Sequence, residues 1–263
     1  MTRPLITLTT DFGQADGYVA AMKGVILSLC PEARLVDISH DIAPQAIRSG
    51  AYVLSTAVPC FPGGAVHLVV VDPGVGSDRR PVAVQSQRAS YVAPDNGVLT
   101  LALDRDPAQR AVHLTRPQFQ RDQISATFHG RDIFAPVAAH LACGLSLEDL
   151  GTPLDPVDLI HLPISAPQRL ADGSWQGEVL HIDRFGNLIT NIGLPPTDPE
   201  RLSVEAKGTR IRGLSRTFAD VEPGQPVVYV GSNGYLEIAL REGSAAAQLG
   251  LGIGDAVLLS MGP

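Results

Sequence analysis

The stretch Ala65-Val66-His67-Leu68-Val69-Val70-Val71, followed at once by Asp72-Pro73-Gly74, decides the fold class of this chain. It is β-branched and continuously apolar, as a central parallel strand is when helices cover both faces of its sheet. On either side, short apolar runs alternate with runs of helical spacing. Further strands are predicted over 5–9, 35–38, 81–85 and 91–93, and helices over 18–29, 47–58, 97–103 and 132–141. This alternation predicts an α/β domain with a parallel sheet between two layers of helices.

The pattern changes near Pro163-Ile164-Ser165-Ala166-Pro167. Beyond this segment, short apolar runs are separated by glycine and proline turns, which is typical of a small β-barrel or sandwich. Strands are predicted over 177–182, 188–192, 202–205, 226–230, 235–239 and 256–260, with one helix over 244–249. We therefore predict an N-terminal parallel-sheet α/β domain over residues 1–165 and a smaller C-terminal β-barrel domain over residues 172–263.

The composition excludes several classes of protein. Of 263 residues, 44% are hydrophobic and 18% charged, as in a globular protein rather than a disordered chain or coiled coil. The formal net charge of −7 argues against nucleic-acid and anionic-membrane partners, because both bind basic surfaces. The chain contains neither a membrane-spanning run nor a signal-peptide core. Its cysteines, Cys30, Cys60 and Cys143, lack metal-ligand spacing and are expected to be buried, reduced thiols, which favours the cytoplasm.

Polar residues gather in three segments of the first domain: 9–13 with Asp16, 71–80, and 127–132. Ligands of open parallel sheets bind beyond the carboxyl ends of the strands, so we expect these segments to line one site. Each has a structural alternative. Asp16 could form a turn or cap a helix, and Arg131 and Asp132 could pair within a first helical turn.

Common nucleotide-binding motifs do not fit. Gly74-Val75-Gly76-Ser77-Asp78-Arg79 begins like a dinucleotide fingerprint, but Arg79 occupies the third glycine position and a strand follows. The chain also lacks a phosphate loop and a hydrolase elbow. In the second domain, 182–191 is rich in polar residues; the alternative is an Asx turn with Phe185 as a core plug. Gly231-Ser232-Asn233-Gly234-Tyr235 could be an ordinary tight turn.

Four segments together resemble one family. They are Thr10-Asp11-Phe12-Gly13, 71–80, Phe128-His129-Gly130-Arg131-Asp132 and Asp183-Arg184-Phe185-Gly186-Asn187. In this order they resemble the S-adenosyl-L-methionine (SAM) hydroxide adenosyltransferases, which are adenosine-forming SAM hydrolases related to fluorinase and chlorinase. The resemblance spans nearly the whole chain. It implies an α/β domain joined to a C-terminal β-barrel, and a homotrimer that holds SAM at subunit interfaces, between one chain's first domain and its neighbour's second.

The resemblance also implies a reaction, the hydrolysis of SAM to adenosine and L-methionine by attack of water or hydroxide at the ribose C5′. It assigns Asp72, Arg79 and His129 as the catalytic set around the attacking water. This is chemically reasonable because a sulfonium leaving group needs no acid, whereas water needs a proton acceptor and charge stabilisation. Whether Asp72 or His129 is the base stays open.

Substrate-binding roles follow from the same resemblance. They are Asp11 for the ribose hydroxyls, Asp16 and Asp183 for the methionine ammonium, Asn187 and Phe185 for adenine, Ser232 and Asn233 for the methionine carboxylate, and the Ala245 backbone for adenine. The related halogenase has Arg after the serine, so how Asn233 helps to neutralise the carboxylate stays open. We expect no metal and no cofactor, since SAM is the substrate.

Two other functions are compatible with this scaffold: a non-catalytic SAM or adenosine sensor, and a SAM-dependent halogenase. The halogenases have a non-acidic residue where Asp72 stands, and fluorinase has a serine where Gly130 stands. A halide beside Asp72 would be repelled strongly in a pocket of low dielectric constant. Water is therefore the favoured nucleophile.

Overall fold

The computed structural model describes residues 3–193 and 201–261. The chain divides into two compact units, Met1–Leu162 and Pro163–Pro263. Each is described by itself below.

The first unit is built on a seven-stranded sheet. Its strands are β1 (Leu5–Thr10), β2 (Arg34–Ser39), β3 (Val66–Val70), β4 (Pro81–Ser86), β5 (Ser90–Pro94), β6 (Ala108–His113) and β7 (Thr152–Leu154), in the spatial order β2-β1-β3-β5-β4-β6-β7. Its helices are α1 (Tyr18–Leu29), α2 (Ile47–Ala57), α3 (Thr100–Arg105) and α4 (Ala135–Ala142). A π-helical turn, Gly130–Phe134, leads into α4 where the sequence predicts ordinary helix.

The sheet is mixed, which corrects the prediction of a parallel one. Strands β2, β1, β3 and β5 are parallel, whereas β4, β6 and β7 pair antiparallel. The reason lies in the connection between β4 and β5, where the Ser86 N–H donates to the Ala89 carbonyl at 2.9 Å in a tight turn. Such a turn joins antiparallel neighbours, while a parallel connection needs a crossover of about a dozen residues or more. The α/β class itself is confirmed.

The central strand is buried on both faces, as its sequence predicts. Leu68 and Val70 face a core shared with α1 and α4, while Val69 and Val71 face a second core shared with α2 and α3. All five residues of β3 are buried. β3 pairs in parallel with β1 and β5, and Asp72 follows just past its carboxyl end.

The cysteines differ from the prediction. Cys30 and Cys143 form a disulfide with a Cα–Cα distance of 6.2 Å, and Cys60 is exposed. The expectation of buried, reduced thiols is therefore wrong. Cys30 and Cys143 follow the last residues of α1 and α4, which pack side by side. A pairing between residues 113 positions apart arises from helix packing and is invisible in the spacing of the sequence.

The second unit is an antiparallel, nearly closed, barrel-like sheet, as predicted. Its strands are β8 (Gln168–Arg169), β9 (Trp175–Ile182), β10 (Leu188–Gly193), β11 (Leu202–Ala206), β12 (Thr209–Arg212), β13 (Pro226–Val230), β14 (Tyr235–Leu240) and β15 (Ala256–Met261). The order is β12-β11-β15-β9-β10-β14-β13, with β8 against β9, and α5 (Ala245–Leu249) precedes β15. The Ser215 N–H donates to the Val228 carbonyl at 2.8 Å, which links the chain after β12 to β13.

Within residues 3–193 and 201–261, no helix has both the length and the apolar character needed to span a membrane.

Candidate active site

The centre of the site is a buried ion pair just beyond β3. Arg79 donates from Nε to both carboxylate oxygens of Asp72 at 2.9 Å, and from Nη2 to Oδ2 at 2.5 Å. Only 4% of the Asp72 side chain and 8% of the Arg79 side chain are exposed. The guanidinium carbon also lies 5.1 Å from the centre of the Phe134 ring. Taking two charges out of water is costly, and several hydrogen bonds between the partners offset that cost. Removing either partner would leave a buried charge without compensation.

His129 extends this pair into a hydrogen-bonded chain of three side chains. Nη2 of Arg79 lies 2.8 Å from Nδ1 of His129. A guanidinium can only donate, so Nδ1 is the acceptor and the neutral ring carries its proton on Nε2. Burial lowers the pKa of His129, and the positive charge of Arg79 lowers it further, against the opposing charges of Asp72 and Asp132. The imidazole is therefore neutral at pH 7.

The predicted catalytic trio thus lies together, although its catalytic role stays a prediction. Two glycines allow close packing at the loop between Asp72 and Arg79. Gly76 has a φ of +78°, and a Cβ placed on it would lie 2.5 Å from the carbonyl oxygen of Ala126. A Cβ on Gly74 would lie 3.3 Å from Cγ of Arg79. Ala126 therefore packs directly against the loop between Asp72 and Arg79.

The loop after β1 carries the predicted ribose and ammonium ligands. Oδ2 of Asp11 accepts the Gln45 N–H at 2.7 Å, which holds Asp11 half-buried. Asp16 is exposed and does not cap α1, because Gly17 is the N-cap residue and no side chain caps the helix. The helix-cap alternative for Asp16 is therefore wrong, and the side chain remains accessible to a ligand.

A buried histidine that the sequence did not single out anchors this loop. Nδ1 of His40 lies 2.8 Å from Oγ1 of Thr10, and Nε2 lies 3.0 Å from Oδ1 of Asp37. The carbonyl of His40 accepts the Gly13 N–H at 2.8 Å. Burial raises the pKa of Asp37, but hydrogen bonds and charge from Lys23 and His40 outweigh it, so the net pKa is lowered.

In the second unit, Asp183 organises a tight turn between β9 and β10. Its Oδ1 accepts the backbone N–H groups of Phe185 and Asn187 at 2.9 Å each, and its Oδ2 accepts Nδ2 of Asn187 at 2.8 Å. This is the Asx-type turn considered from the sequence. Phe185, however, is 75% exposed, so the idea that it plugs the core is wrong. An exposed aromatic ring on a rigid turn offers a flat surface for a ligand.

Helix α5 abuts this turn. The Ala246 N–H donates to the Gly186 carbonyl at 2.9 Å, and a Cβ on Gly186 would lie only 2.0 Å from Oγ of Ser244. Gly186 also has a φ of +82°, so glycine is required there on both counts. Ala245, buried at the start of α5, is thereby next to the Asp183–Asn187 turn. The predicted adenine-binding residues form one local cluster.

Ser232 and Asn233 lie in the turn between β13 and β14, which is closed by the Gly231 N–H donating to the Tyr235 carbonyl at 2.8 Å. The carboxylate of Glu237, which the sequence did not single out, packs against this turn. A Cβ on Gly231 would lie 1.8 Å from Oε1 of Glu237, whose Oε2 accepts the Tyr229 hydroxyl at 2.7 Å. Burial raises the pKa of Glu237 against the lowering effect of the Tyr229 hydrogen bond, and the charge of Asp183 raises it further. Glu237 could have been identified from the sequence, because it is the one charged residue inside the run 235–240.

Two family models match the chain: the SAM hydroxide adenosyltransferase N-terminal domain over residues 6–151 and its C-terminal domain over residues 177–258. The chain belongs to the SAM hydroxide adenosyltransferase family. This confirms the resemblance seen in the sequence. The predicted catalytic trio lies within the N-terminal match, and the Asp183 turn, Ser232, Asn233 and Ala245 lie within the C-terminal match.

Relatives of known name agree with this assignment. The chain is 46% identical to a protein of Thermus thermophilus and 44% identical to one of Salinispora tropica, both named (R)-S-adenosyl-L-methionine hydrolase. These alignments cover 98% of this chain and 99% and 98% of the two relatives. A fluorinase of Nocardia brasiliensis is 33% identical, over 99% of this chain and 98% of its own.

The fold agrees as well. The crystal structure of an uncharacterized conserved protein from Thermotoga maritima matches with a TM-score of 0.89 and 35% identity, over 97% of this chain and 99% of that chain.

Proposed function

We propose that this protein hydrolyses SAM to adenosine and L-methionine. Water attacks the ribose C5′, the bond from C5′ to the sulfonium sulfur breaks with its electron pair going to sulfur, and one proton of the water is released. The observation that carries the proposal is the buried chain of Asp72, Arg79 and His129 in a member of this family. The relatives named SAM hydrolases, aligned over nearly their whole length, support it.

The chemistry required matches the groups present. Methionine leaves as a neutral thioether, so the leaving group needs no acid, and the difficulty lies in making a nucleophile from water. The guanidinium of Arg79 stabilises the hydroxide-like charge that develops on the attacking oxygen, in a place where little water competes. Holding that oxygen in line with C5′ supplies much of the remaining rate.

The hydrogen bonds favour Asp72 over His129 as the proton acceptor. Nδ1 of His129 is occupied by Arg79, and its Nε2 carries the proton, so the ring presents a donor rather than a lone pair. The Asp72 carboxylate has lone pairs beyond those that Arg79 uses, because two carboxylate oxygens accept up to about four hydrogen bonds. In this assignment, His129 orients the water by donating to its oxygen, and Asp72 takes the proton.

The substrate-binding roles are proposed as the resemblance implies them. Asp11 binds the ribose hydroxyls, and the exposed ring of Phe185 stacks on adenine. Asp16 and Asp183 attract the ammonium group. Asn187 and the backbone at Ala245 read the adenine edge. Ser232 and Asn233 bind the methionine carboxylate as neutral donors.

The proposed assembly is a homotrimer in which SAM lies between the first unit of one copy and the second unit of its neighbour. The two groups of predicted ligands fall in different units, which supports a composite site. We propose that the reaction uses neither a metal nor a redox cofactor. The cytoplasmic location predicted from reduced thiols is not proposed further, because a disulfide between Cys30 and Cys143 is unusual in a reducing compartment. The mass of the protein in solution, measured by sedimentation equilibrium, tests the trimer.

One incubation tests the reaction. Purified protein is mixed with SAM, with and without chloride or fluoride, and the products are separated by chromatography. We expect adenosine and methionine in equal amounts and no dependence on halide. Halide-dependent 5′-halo-5′-deoxyadenosine would instead identify a halogenase, the alternative that the fluorinase relatives favour. Tight calorimetric binding of SAM without any product would identify a sensor.

The site itself is tested by Asp72→Ala and Arg79→Ala. We expect adenosine formation to be nearly lost in both variants while SAM still binds. Unchanged turnover in both would remove the proposed water site, whatever the products of the wild-type protein are.

A further inference from the structure

Asp132 is a fully buried carboxylate three residues after His129 that the proposed chemistry does not use. Its Oδ1 accepts Nε of Arg131 at 2.7 Å and lies 3.5 Å from Nε of Arg121. Its Oδ2 accepts Nη2 of Arg131 and the backbone N–H of Ser125, both at 2.9 Å. Its own carbonyl accepts the Arg121 N–H at 2.9 Å. The pairing of Arg131 with Asp132 considered from the sequence is present, but it is one contact of several.

These contacts hold a segment that packs against the loop between Asp72 and Arg79. Residues 121–128, defined here as the cover segment, are held by Asp132 at Arg121 and Ser125. Between these residues and His129, the Ala126 carbonyl rests against Gly76, inside the loop that joins Asp72 to Arg79. Asp132 thus holds the segment that packs against the loop between Asp72 and Arg79.

The backbone of Asp132, and the Arg131 guanidinium that its carboxylate binds, also contact the residue before His129. The backbone N–H groups of Arg131 and Asp132 both donate to the Phe128 carbonyl at 3.2 Å, and the Arg131 guanidinium lies 4.9 Å from the centre of the Phe128 ring. Phe128 packs edge-on against Phe12 and Tyr18, at ring distances of 5.9 and 5.2 Å. His129 is therefore flanked by one residue clamped in an aromatic cluster and a π-helical turn that contains Asp132.

The charge of Asp132 is well compensated. Burial raises its pKa, but the hydrogen bonds from Arg131 and from the Ser125 N–H outweigh burial, and the net pKa is lowered. A neutral amide in this place would keep the size but present donor hydrogens to a set of donors. The arrangement therefore depends on a carboxylate rather than on any polar side chain of that shape.

We propose that Asp132 is a positioning residue for catalysis: it holds the cover segment and the backbone of His129 so that Nδ1 of the imidazole meets Arg79. This inference rests on the proposed function only for its kinetic readout. It goes beyond the trio that the family resemblance implies, because Asp132 touches neither the reacting atoms nor Asp72 and Arg79. Its effect on the reaction passes through the position of the imidazole.

The test is Asp132→Asn in the 263-residue chain, compared with Asp106→Asn. Asp106 is a matched control because its Oδ2 also accepts a backbone N–H, that of Arg88 at 3.1 Å, and the Ser86 hydroxyl at 2.6 Å. It tightens the β4–β5 turn, which lies beside the start of β3 and not beside the carboxyl end of β3 that precedes Asp72. Three quantities are measured: the melting temperature, kcat and KM for SAM, and the ¹⁵N NMR shifts of the His129 ring.

We expect Asp132→Asn to lower kcat about 10- to 100-fold with KM nearly unchanged, as for a displaced catalytic group. The ¹⁵N shifts should show that the His129 tautomer is no longer fixed. Asp106→Asn should lower the melting temperature and leave kcat and the His129 shifts as in the wild type. If Asp132→Asn does not fold, Arg131→Gln, which changes a partly exposed side chain, takes its place and should show a smaller change in the same direction.

Loss of stability in Asp132→Asn with unaltered kcat and unaltered His129 shifts would overturn the inference and leave Asp132 a structural residue. Failure of the proposed function is distinguishable from this result. In that case the wild-type protein forms no adenosine, yet the His129 shifts still report whether Asp132 fixes the imidazole.

Discussion

Nη2 of Arg79 lies 2.8 Å from Nδ1 of His129 and 2.5 Å from Oδ2 of Asp72, so one guanidinium nitrogen joins an imidazole to a carboxylate. The guanidinium sets the ring tautomer because it has no lone pair to offer. It also separates two groups that could each act as a base. The chemistry proposed for this site therefore depends on the shape of the guanidinium as well as on its charge.

Arg79→Lys should lower kcat/KM about 100-fold or more, because a lysine ammonium cannot reproduce the planar fork that meets both partners. Adenosine release from SAM is the measurement. Arg80→Lys is the control: Arg80 pairs with Asp95 at 2.5–2.9 Å and also donates to the Asp158 carbonyl, away from the trio. We expect it to reduce stability without altering turnover. Equal activity in the two lysine variants would contradict the role given to Arg79.

The rate should fall at acidic pH as His129 becomes protonated, and this should occur below the ordinary imidazole value of 6.5, because burial and the charge of Arg79 lower the pKa of His129. Protonation would place a hydrogen on Nδ1, facing Arg79, and would bring two cations together. The neutral ring is the active form. Activity is therefore retained above the pKa of His129 and lost below it. A profile of kcat/KM against pH checks this. His129→Asn should lower the rate and flatten the acidic limb; an unchanged acidic limb in that variant would assign it to another group.

His67 should make the protein sensitive to acid. Burial lowers the pKa of His67 to about 4, and its Nδ1 lies 2.7 Å from Oγ1 of Thr7. Between this pKa and the ordinary value of 6.5 the unfolded chain binds more protons, so stability is present above pH 6.5 and is lost as pH falls toward 4. Between pH 7 and pH 5, the protonation of His67 should lower the free energy of unfolding by about 2 kcal/mol.

Urea unfolding of the wild type and of His67→Asn at both pH values measures this share. The variant should be less stable at pH 7 and less dependent on pH. If both proteins lose the same free energy of unfolding between pH 7 and pH 5, His67 is not the source of the acid sensitivity.

Gly130→Ser should impair hydrolysis without creating a halogenase. A Cβ on Gly130 would lie 3.2 Å from Sδ of Met22 and 3.3 Å from the Phe12 ring, so these neighbours must shift. The charge of Asp72 would still repel a halide. Chromatography of SAM incubations with and without fluoride checks both statements. Gly24→Ser in α1, where a Cβ meets nothing within 4 Å, serves as the control. Appearance of a halogenated nucleoside in Gly130→Ser would refute the electrostatic argument.

The Cys30–Cys143 disulfide should contribute about 2–4 kcal/mol of stability, since it closes a long loop in the unfolded chain. Cys143→Ser, or the wild type in reducing agent, should melt at a lower temperature while the hydrolysis rate at 25 °C stays the same. Cys60→Ser is the matched control and should melt like the wild type under both conditions. A melting temperature that reducing agent does not change would show that the bond is absent or energetically neutral.

Local pattern predicted much of this molecule correctly. The apolar run at 65–71 is buried as β3, and the polar segments after β1 and β3 lie at strand ends, as their sequence indicates. The antiparallel half of the first sheet was missed. Strand β6 has the sequence Ala-Gln-Arg-Ala-Val-His, which is weakly apolar, and it lies near the edge of the sheet. Its sequence of apolar and polar residues therefore gives little indication of a buried strand.

The sequence predicts which residues form the candidate site, but not how they contact each other. Asp72, Arg79 and His129 were chosen because their motifs resemble a family, and no spacing in the chain indicates that Arg79 bridges the other two. The parts played by Asp132, His40 and Glu237 come from contacts between segments distant in sequence. Such contacts leave no periodic signal, because each depends on where a loop folds back.

The sequence by itself determined the α/β class, the barrel-like second half and the family, because burial periodicity and short motifs are properties of neighbouring residues. Tertiary structure alone decided the mixed sheet, the Cys30–Cys143 bond and the proton position on His129. The physical reason is that a strand's direction, a disulfide and a tautomer are each set by the group that lies opposite. That group is chosen by packing in three dimensions and is not encoded in any local stretch of the chain.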